Sequence, residues 1–269
     1  MVRLVSPVTL LEAGRRPLAL RPFLELVRYL TARELAATHR FTLLGWGWPV
    51  VRQLAQLAVL VFIFSTVFDL GVENFAVFVF CGLIAWSWFS SGILAASSSL
   101  LAQRHLVFQP RLPNVVIPVV AVTVPLVDVL FALPVLLVML VSSTGLRTEI
   151  LLCPALLIIQ YVLMLGIAWL CASISVFFRD VPNLVSVAMT ILFYLTPVFY
   201  GLRSVPDEYE WVLQLNPMTT IIEGLRALTL GQAGPAPEAV LAVAGVSAAV
   251  AALGYVVFQR LESRFVDVL

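Results

Sequence analysis

Long apolar runs separated by short charged segments dominate this chain. No formally charged residue occurs from Asn74 to Gln103, from Ile150 to Phe178, or from Ala239 to Gln259. At about 1.5 Å rise per residue, each run meets or exceeds the roughly 20 residues that a helix needs to cross hydrocarbon. With the shorter apolar stretches added, the pattern predicts six spans, at about 50–68, 75–97, 114–142, 150–177, 182–201 and 238–259. The third carries Pro118, Pro125, Pro134 and Asp128, which a bundle tolerates where neighbours satisfy the freed carbonyls. The fold class expected is an all-α membrane protein of six transmembrane helices.

Three segments outside these spans have patterns of their own. From Arg21 to Leu44, Phe23, Leu26, Val27, Leu30, Leu35 and Phe41 alternate with Arg28, Arg33, Glu34 and Arg40. This spacing predicts an amphipathic helix lying on the membrane surface, stopped by Gly45, Gly47 and Pro49. It divides the chain into an N-terminal segment, 1–47, and a spanning domain, 48–265. The loop Ser97–Asn114 is predicted to be helical around Leu100–Phe108, with Pro110 and Pro113 ending it. The connection Ser204–Pro237 has a centre, Trp211–Leu230, too apolar for an exposed loop. It predicts a pair of short helices re-entering the membrane between spans five and six, beside a cavity.

Charge orients the spans. Sixteen basic residues are present, all of them arginine, which we attribute to coding bias. An even number of spans puts both termini on one side. With that side cytoplasmic, thirteen arginines fall there, and only Arg147, Arg203 and Arg226 fall opposite, the bias the positive-inside rule requires. The opposite loops carry Asp69, Glu73, Glu149, Asp207, Glu208 and Glu210. Hydrophobic residues make up 61% and charged residues 12%, with mean hydropathy +1.04. An ordinary soluble domain has about 25% charged residues, so that class is excluded. A net charge of +1 offers no electrostatic case for nucleic acid. The first 47 residues hold no short apolar run ending in a cleavage site, so no cleaved leader is expected.

Catalytic constellations are missing. Ser90 and Ser91 lie in a span, but His39 and His105 lie outside every span, so no Ser–His pair forms within the bundle. Asp128 is the one carboxylate in the interior of a span, too few for a metal-dependent transferase or an ion relay. Some partner for it within the bundle, near a proline kink, is expected. Cys81, Cys153 and Cys171 lie in apolar stretches without metal-ligand spacing and read as core residues. No GxxxxGK[ST] loop is present to bind nucleotide phosphates. What is left is a pore whose energy comes from another subunit.

At this point the chain is recognisable. FFRDVPNLVSVAMTILFYLTPVFYG (Phe177–Gly201), followed by LNPMTTIIEGLRALTLG (Leu215–Gly231), strongly resembles the permease subunit of type-2 ABC exporters of polysaccharides, namely O-antigen, teichoic acid and galactan. LLGWGWPVVRQL (Leu43–Leu54) and RHLVFQPRLPNVVIP (Arg104–Pro118) fit the same family in the same order. The resemblance implies a homodimer in the bacterial inner membrane that moves a lipid-linked glycan outward. Two copies of a separate ATPase bind it, carrying the ATP and magnesium, and no cofactor is expected in this chain.

The resemblance also assigns roles. Arg21–Leu44 is similar to the family's interface helix and Ser97–Asn114 to its coupling helix, so Arg104, His105, Phe108 and Arg111 are candidates for docking the ATPase. Arg179 and Asp180 match the second cytoplasmic turn, and Asp180, just before Pro182, is equally suited to cap the next helix. Trp211–Leu230 matches the gate helices of the outer mouth, with Asn216, Pro217, Glu223 and Arg226 as gate residues. Glu223 and Arg226, three apart on a helix, are expected to pair. Six helices enclose too little space for a hydrated glycan, which places the path between two protomers. Sugars stack their C–H faces on aromatic rings, and the candidates are Trp86, Trp88, Phe89, Phe193, Tyr194, Phe199 and Tyr200. Two alternatives stay open: export of a smaller amphipathic drug or lipid, and a non-catalytic membrane anchor for glycan synthesis.

Overall fold

The computed structural model describes residues 20–38, 45–67, 74–109, 112–202 and 205–268, and every regular element among them is helical. In chain order they are α1 (Leu20–Thr38), α2 (Trp48–Val61), α3 (Phe75–Ala102), α4 (Arg104–Val107), α5 (Val116–Thr123), α6 (Leu126–Ser143), α7 (Cys153–Phe177), α8 (Val181–Leu195), α9 (Asp207–Gln214), α10 (Pro217–Leu230), α11 (Pro237–Glu262) and α12 (Phe265–Val268). A 3-10 turn, Gly45–Gly47, leads into α2, a π turn, Phe62–Val67, extends it, and a second 3-10 turn, Thr148–Leu152, precedes α7.

Four stretches are long and apolar enough to cross a bilayer: Phe75–Ala102, Val116–Ser143, Thr148–Phe177 and Pro237–Glu262. Trp48–Phe64 and Val181–Leu195 are shorter apolar helices. The expected third span runs as α5 and α6 because Pro125 has no amide to donate, so the hydrogen-bond ladder lapses there, while Val124 and Pro125 keep right-handed helical backbone. Asp128 consequently sits in the first turn of α6, where the helix dipole favours a carboxylate. The expected fifth span ends early. Pro197 forces Thr196 into extended backbone (φ −99°, ψ 136°), so α8 stops at Leu195 and the chain turns.

α3 is the axis of the bundle, apolar all round, and α2, α5, α6, α7, α8 and α10 all pack on it. An apolar circumference is what a helix needs when it has neighbours on every side. α7 and α11 form the closest helix pair. A Cβ on Gly254 would strike the Gly166 backbone, and one on Gly166 would come 2.5 Å from the Val250 carbonyl. Small residues at the crossing let the two backbones touch, as is common between membrane helices.

The two ends of the bundle differ. At one end, Leu30 of α1 packs on Val116 and Val120 of α5. The rest of that end is held by Leu106, Val107, Ile117, Ala172, Val176, Phe258 and Phe265. The predicted amphipathic helix therefore forms over Leu20–Thr38, with part of its apolar face against α5, and residues 39–44 lie outside the described residues. The N- and C-terminal helices share this end. At the opposite end lie the start of α3, the turn after α8, and the short helices α9 and α10.

Candidate functional site

The turn Thr196–Gly201 at this opposite end is irregular backbone with buried carbonyls, and such groups need partners. α10 holds this turn at two points, its N-cap and Arg226. Asn216 caps α10, its side-chain oxygen accepting from the Met218 amide at 3.0 Å. The Nδ2 end of the Asn216 side chain donates to Thr196 Oγ1 at 2.8 Å. Pro217 follows at the first helical position, where no amide is needed. One helical face further on, Arg226 is fully buried, at 0% exposure. Its Nη1 donates to the Pro197 carbonyl (2.7 Å) and to Glu223 (2.8 Å). Nη2 donates to the Val198 carbonyl (2.6 Å), and Nε donates to the Phe78 carbonyl (3.2 Å). The guanidinium carbon also lies 3.5 Å from the centre of the Phe78 ring.

The expected Glu223–Arg226 pair is therefore formed, and it belongs to a larger staple. Arg is required here because its fixed fork of donors can serve several carbonyls at once. The sequence reading missed two residues that make room. Gly82 of α3 faces the staple, and a Cβ there would sit 2.7 Å from the Val198 carbonyl. Gly224 lets α10 approach α7, where a Cβ would meet Leu156 at 2.8 Å. A glycine inside a long apolar helix, opposite a lone arginine, is the one sequence signal of this arrangement.

The staple fixes the aromatic turn that follows α8. Phe199 stacks on Phe64 at 5.2 Å between ring centres and touches Phe193 (5.7 Å), Tyr194 (6.3 Å) and Tyr200 (5.2 Å). Phe193 in turn meets Trp86 at 6.0 Å, and Trp86 meets Phe89 at 5.5 Å. The candidate aromatics thus divide into two groups along this ladder. Trp86, Trp88 and Phe89 lie inside the protomer. Trp88 is 2% exposed, donates Nε1–H to the Val122 carbonyl at 3.1 Å and stacks on Tyr161. Tyr194 is 63% exposed, while Phe193, Phe199 and Tyr200 are half-buried.

α8 has two unlike faces. Val185 and Met189 are buried, with Leu192 and Phe193 half-buried beside them. On another face, Asn183, Ser186, Thr190 and Tyr194 recur at spacings of three and four and are all exposed. Hydroxyls and an amide in register on an otherwise apolar helix mark a side that meets water or protein rather than lipid. Between α2 and α8 lies an open cleft of about 590 Å³, lined by Gln56, Val59, Ile63, Phe64, Tyr194 and Phe199 among others. Gln56 continues the polar character on the α2 side.

At the end that holds the terminal helices, Arg104, His105 and Phe108 are exposed, Phe108 to 47%. Arg111 lies outside the described residues. The helix expected around Leu100–Phe108 is interrupted at Gln103, which separates α3 from α4. α4 buries Leu106 and Val107 against Phe258 and Phe265. Neighbouring ties brace it. Gln103 donates to Glu34 of α1 at 3.3 Å, and the Asn114 amide donates to Glu262 of α11 at 3.3 Å. Arg179 and Asp180 are exposed at the same end. Asp180 occupies the capping position of α8 but makes no capping bond, contrary to one expectation. Its backbone is already helical, and Pro182 has no amide to offer there.

A family model described as "ABC-2 type transporter" matches residues 25–230. The chain belongs to the ABC-2 type transporter family. It is 30% identical over 241 residues to the O-antigen export system permease protein RfbA of Myxococcus xanthus, covering 88% of this chain and 93% of that protein. It is 27% identical over 248 residues to the protein of the same name from Klebsiella pneumoniae, covering 91% and 95%. The chain is thus a multi-pass inner-membrane protein and the membrane component of an ABC transporter, a family whose ATPase is a separate subunit. Among the described residues, no group of three or more His, Cys, Asp or Glu side chains is placed to hold a metal ion.

Proposed function

We propose that this chain is the membrane half of an ATP-driven exporter of lipid-linked polysaccharide, with the path between two copies of the chain. The carrying observation is the exposed face of α2 and α8. Asn183, Ser186, Thr190 and Tyr194 form a polar stripe there beside an aromatic cleft. Thr190 turns its proton back to the Ser186 carbonyl, but the Asn183 amide and the Tyr194 hydroxyl are better met by a wet channel than by lipid. Hydroxyl groups and ring faces together suit sugars, whose C–H faces stack while their hydroxyls remain hydrated. The relatives bear names of O-antigen export permeases, which favours this cargo class over a small drug.

In this reading the chain crosses the inner membrane six times, with α2 and α8 as the shorter crossings. The arginine-rich end, with α1, α4 and α12, is cytoplasmic. Arg104, His105, Phe108 and Arg111 seat the separate ATPase, with Arg179 and Asp180 beside them. α9 and α10 re-enter the outer leaflet, and Asn216, Pro217, Glu223 and Arg226 hold the outer turn in place. The buried Trp86, Trp88 and Phe89 support the wall from behind, while Tyr194, with Phe193 and Tyr200 beside it, is set at its surface.

Proteoliposomes holding the permease and its companion ATPase test this reading. ATP should drive a lipid-linked glycan to the opposite leaflet, and single cysteines at Thr190 or Tyr194 should cross-link between protomers. Glycan movement without nucleotide, or cysteines that cross-link only with lipid-facing probes, would overturn it.

A further inference from the structure

One turn of α3 holds three neighbouring helices through side-chain hydrogen bonds. Gln160 of α7 donates to the Ala85 carbonyl at 2.8 Å, and Gln53 of α2 donates to Ser87 Oγ at 2.7 Å. Trp88 donates to the Val122 carbonyl of α5 at 3.1 Å. α5 and α7 are joined in turn, with the Thr123 and Tyr161 hydroxyls 2.8 Å apart. This polar layer lies near the middle of α3, a 28-residue apolar helix. Polar side chains are costly between spanning helices, and those kept there have a use.

Gln53 holds a helix of a different kind. Gln160 and Trp88 join helices inside the bundle, whereas α2 also lines the open cleft with Gln56, Val59 and Ile63. The buried stripe of α2 is Pro49, Gln53 and Leu57, at spacings of four. Ser87 passes its own proton to the Ile84 carbonyl at 3.1 Å, which leaves its oxygen to accept from Gln53. Gln53 is 4% exposed, and its Oε1 has no hydrogen-bond partner among the described residues. An apolar side chain of the same length would leave no acceptor unmet. A buried amide kept at that cost in an apolar interface fixes register and rotation, as a buried Asn does between coiled helices.

Beyond Gln53, α2 and its π turn run for roughly 20 Å, and in that turn Phe64 stacks on Phe199. A π turn is a place where a helix changes direction. A rotation of α2 at Gln53 is therefore carried along the wall of the cleft to the aromatic turn after α8.

We infer that Gln53 is a positioning residue, fixing the rotation of α2 on α3 through Ser87 and thereby which side chains of α2 face the path. Its effect on export rests on the function proposed above, while the rotation is a property of one protomer.

Spin labels at Val59 of α2 and Ile191 of α8, both exposed, test this by electron–electron distance measurement. The full-length permease, without its three native cysteines, is diluted with unlabelled chain and reconstituted with its ATPase. The parent should give one narrow distance, and S87T, which keeps the hydroxyl, should match it. Q53M fills a similar volume without a hydrogen bond and should broaden or split the distance. Export by unlabelled Q53M should slow roughly two- to tenfold, the range that one hydrogen bond supports. Its melting temperature should stay within about 2 °C of the parent or rise. S87A strands the Gln53 amide and should broaden the distance while lowering the melting temperature. A parental distance or parental export rate in Q53M would overturn the inference. So would a loss of export that tracks a fall in melting temperature, which would make Gln53 an ordinary packing residue. A parent that moves no glycan would refute the proposed cargo, and the distances would still decide the role of Gln53.

Discussion

Gly82 and Arg226 are fitted to one another across 144 positions of sequence. A Cβ at position 82 would stand 3.0 Å from Arg226 Nη2 and 2.7 Å from the Val198 carbonyl that Nη2 holds. The second contact is with backbone, which cannot swing aside. G82A should therefore displace the Thr196–Gly201 turn and with it the aromatic wall. The expected result is poor assembly, read by size-exclusion chromatography and thermal unfolding in detergent. A variant as stable as the parent would show that the turn has slack.

Arg226 itself should tolerate no substitution well. Truncation to Ala strands the Phe78, Pro197 and Val198 carbonyls and the Glu223 carboxylate, at about 1–3 kcal/mol for each buried acceptor left unsatisfied. R226K keeps the charge but offers three donors on one nitrogen, which cannot span the same carbonyls. Both variants should lose several kcal/mol of stability, R226A more. E223Q, which keeps an acceptor for Nη1, should be milder than E223A. Melting temperatures of the four proteins, ranked in that order, check the staple.

The α7–α11 crossing is a separate weak point. G254A would press a methyl group into the Gly166 backbone, and G166A would press one against Val250. Either should push the helices apart and lower expression and melting temperature, while G245A, whose added Cβ meets nothing within 4 Å, should be silent. Equal behaviour of all three variants would remove the close approach as the cause.

Trp88 and Tyr194 should behave oppositely. W88F removes the bond to the Val122 carbonyl and should cost about 0.5–1.5 kcal/mol. W88A also opens a cavity, and about 3–5 kcal/mol is the scale for such truncations. Y194A changes an exposed ring and should leave melting within about 0.5 kcal/mol of the parent. It should nevertheless slow glycan export. Thermal unfolding and transport measured on the same preparations separate the two effects.

Docking should depend on what lies beneath α4 as well as on its surface. F108A, or charge reversal at Arg104 and Arg111, should abolish ATPase stimulation by the permease while the protein remains folded. F265A removes a fully buried ring that packs 5.3 Å from Phe258 beneath α4. It should weaken stimulation together with stability. Coupling assays run beside melting curves distinguish the surface defect from the supporting one.

Much of this architecture could be read directly from residue order. Charge-free runs as long as a bilayer is thick leave a helix as the only economical backbone, but the spans expected at 114–142 and 182–201 ran through Pro125 and Pro197, where the structure ends α5 and α8. The Glu223–Arg226 pair followed from helical spacing, because residues three apart share a face. Asn216 and Pro217 were expected as gate residues, and the structure shows them instead opening α10 as its cap and first residue.

Facing was not readable in the same way. Trp88 and Tyr194 are both aromatic residues in apolar runs, yet one is enclosed by α5 and α7 and the other is open. Periodicity does not separate them, because a membrane helix is apolar toward lipid and toward its neighbours alike. Which side of α3 meets a partner is set by the packing of six other helices on it. Sequence determined that this chain is helical and spanning, since those properties follow from local hydropathy. Tertiary structure alone decided that Arg226 closes inward on distant carbonyls, that Gly82 makes space for it, and that α8 turns a hydroxyl stripe outward. Those relationships join residues far apart in the chain, and only close packing brings them within reach.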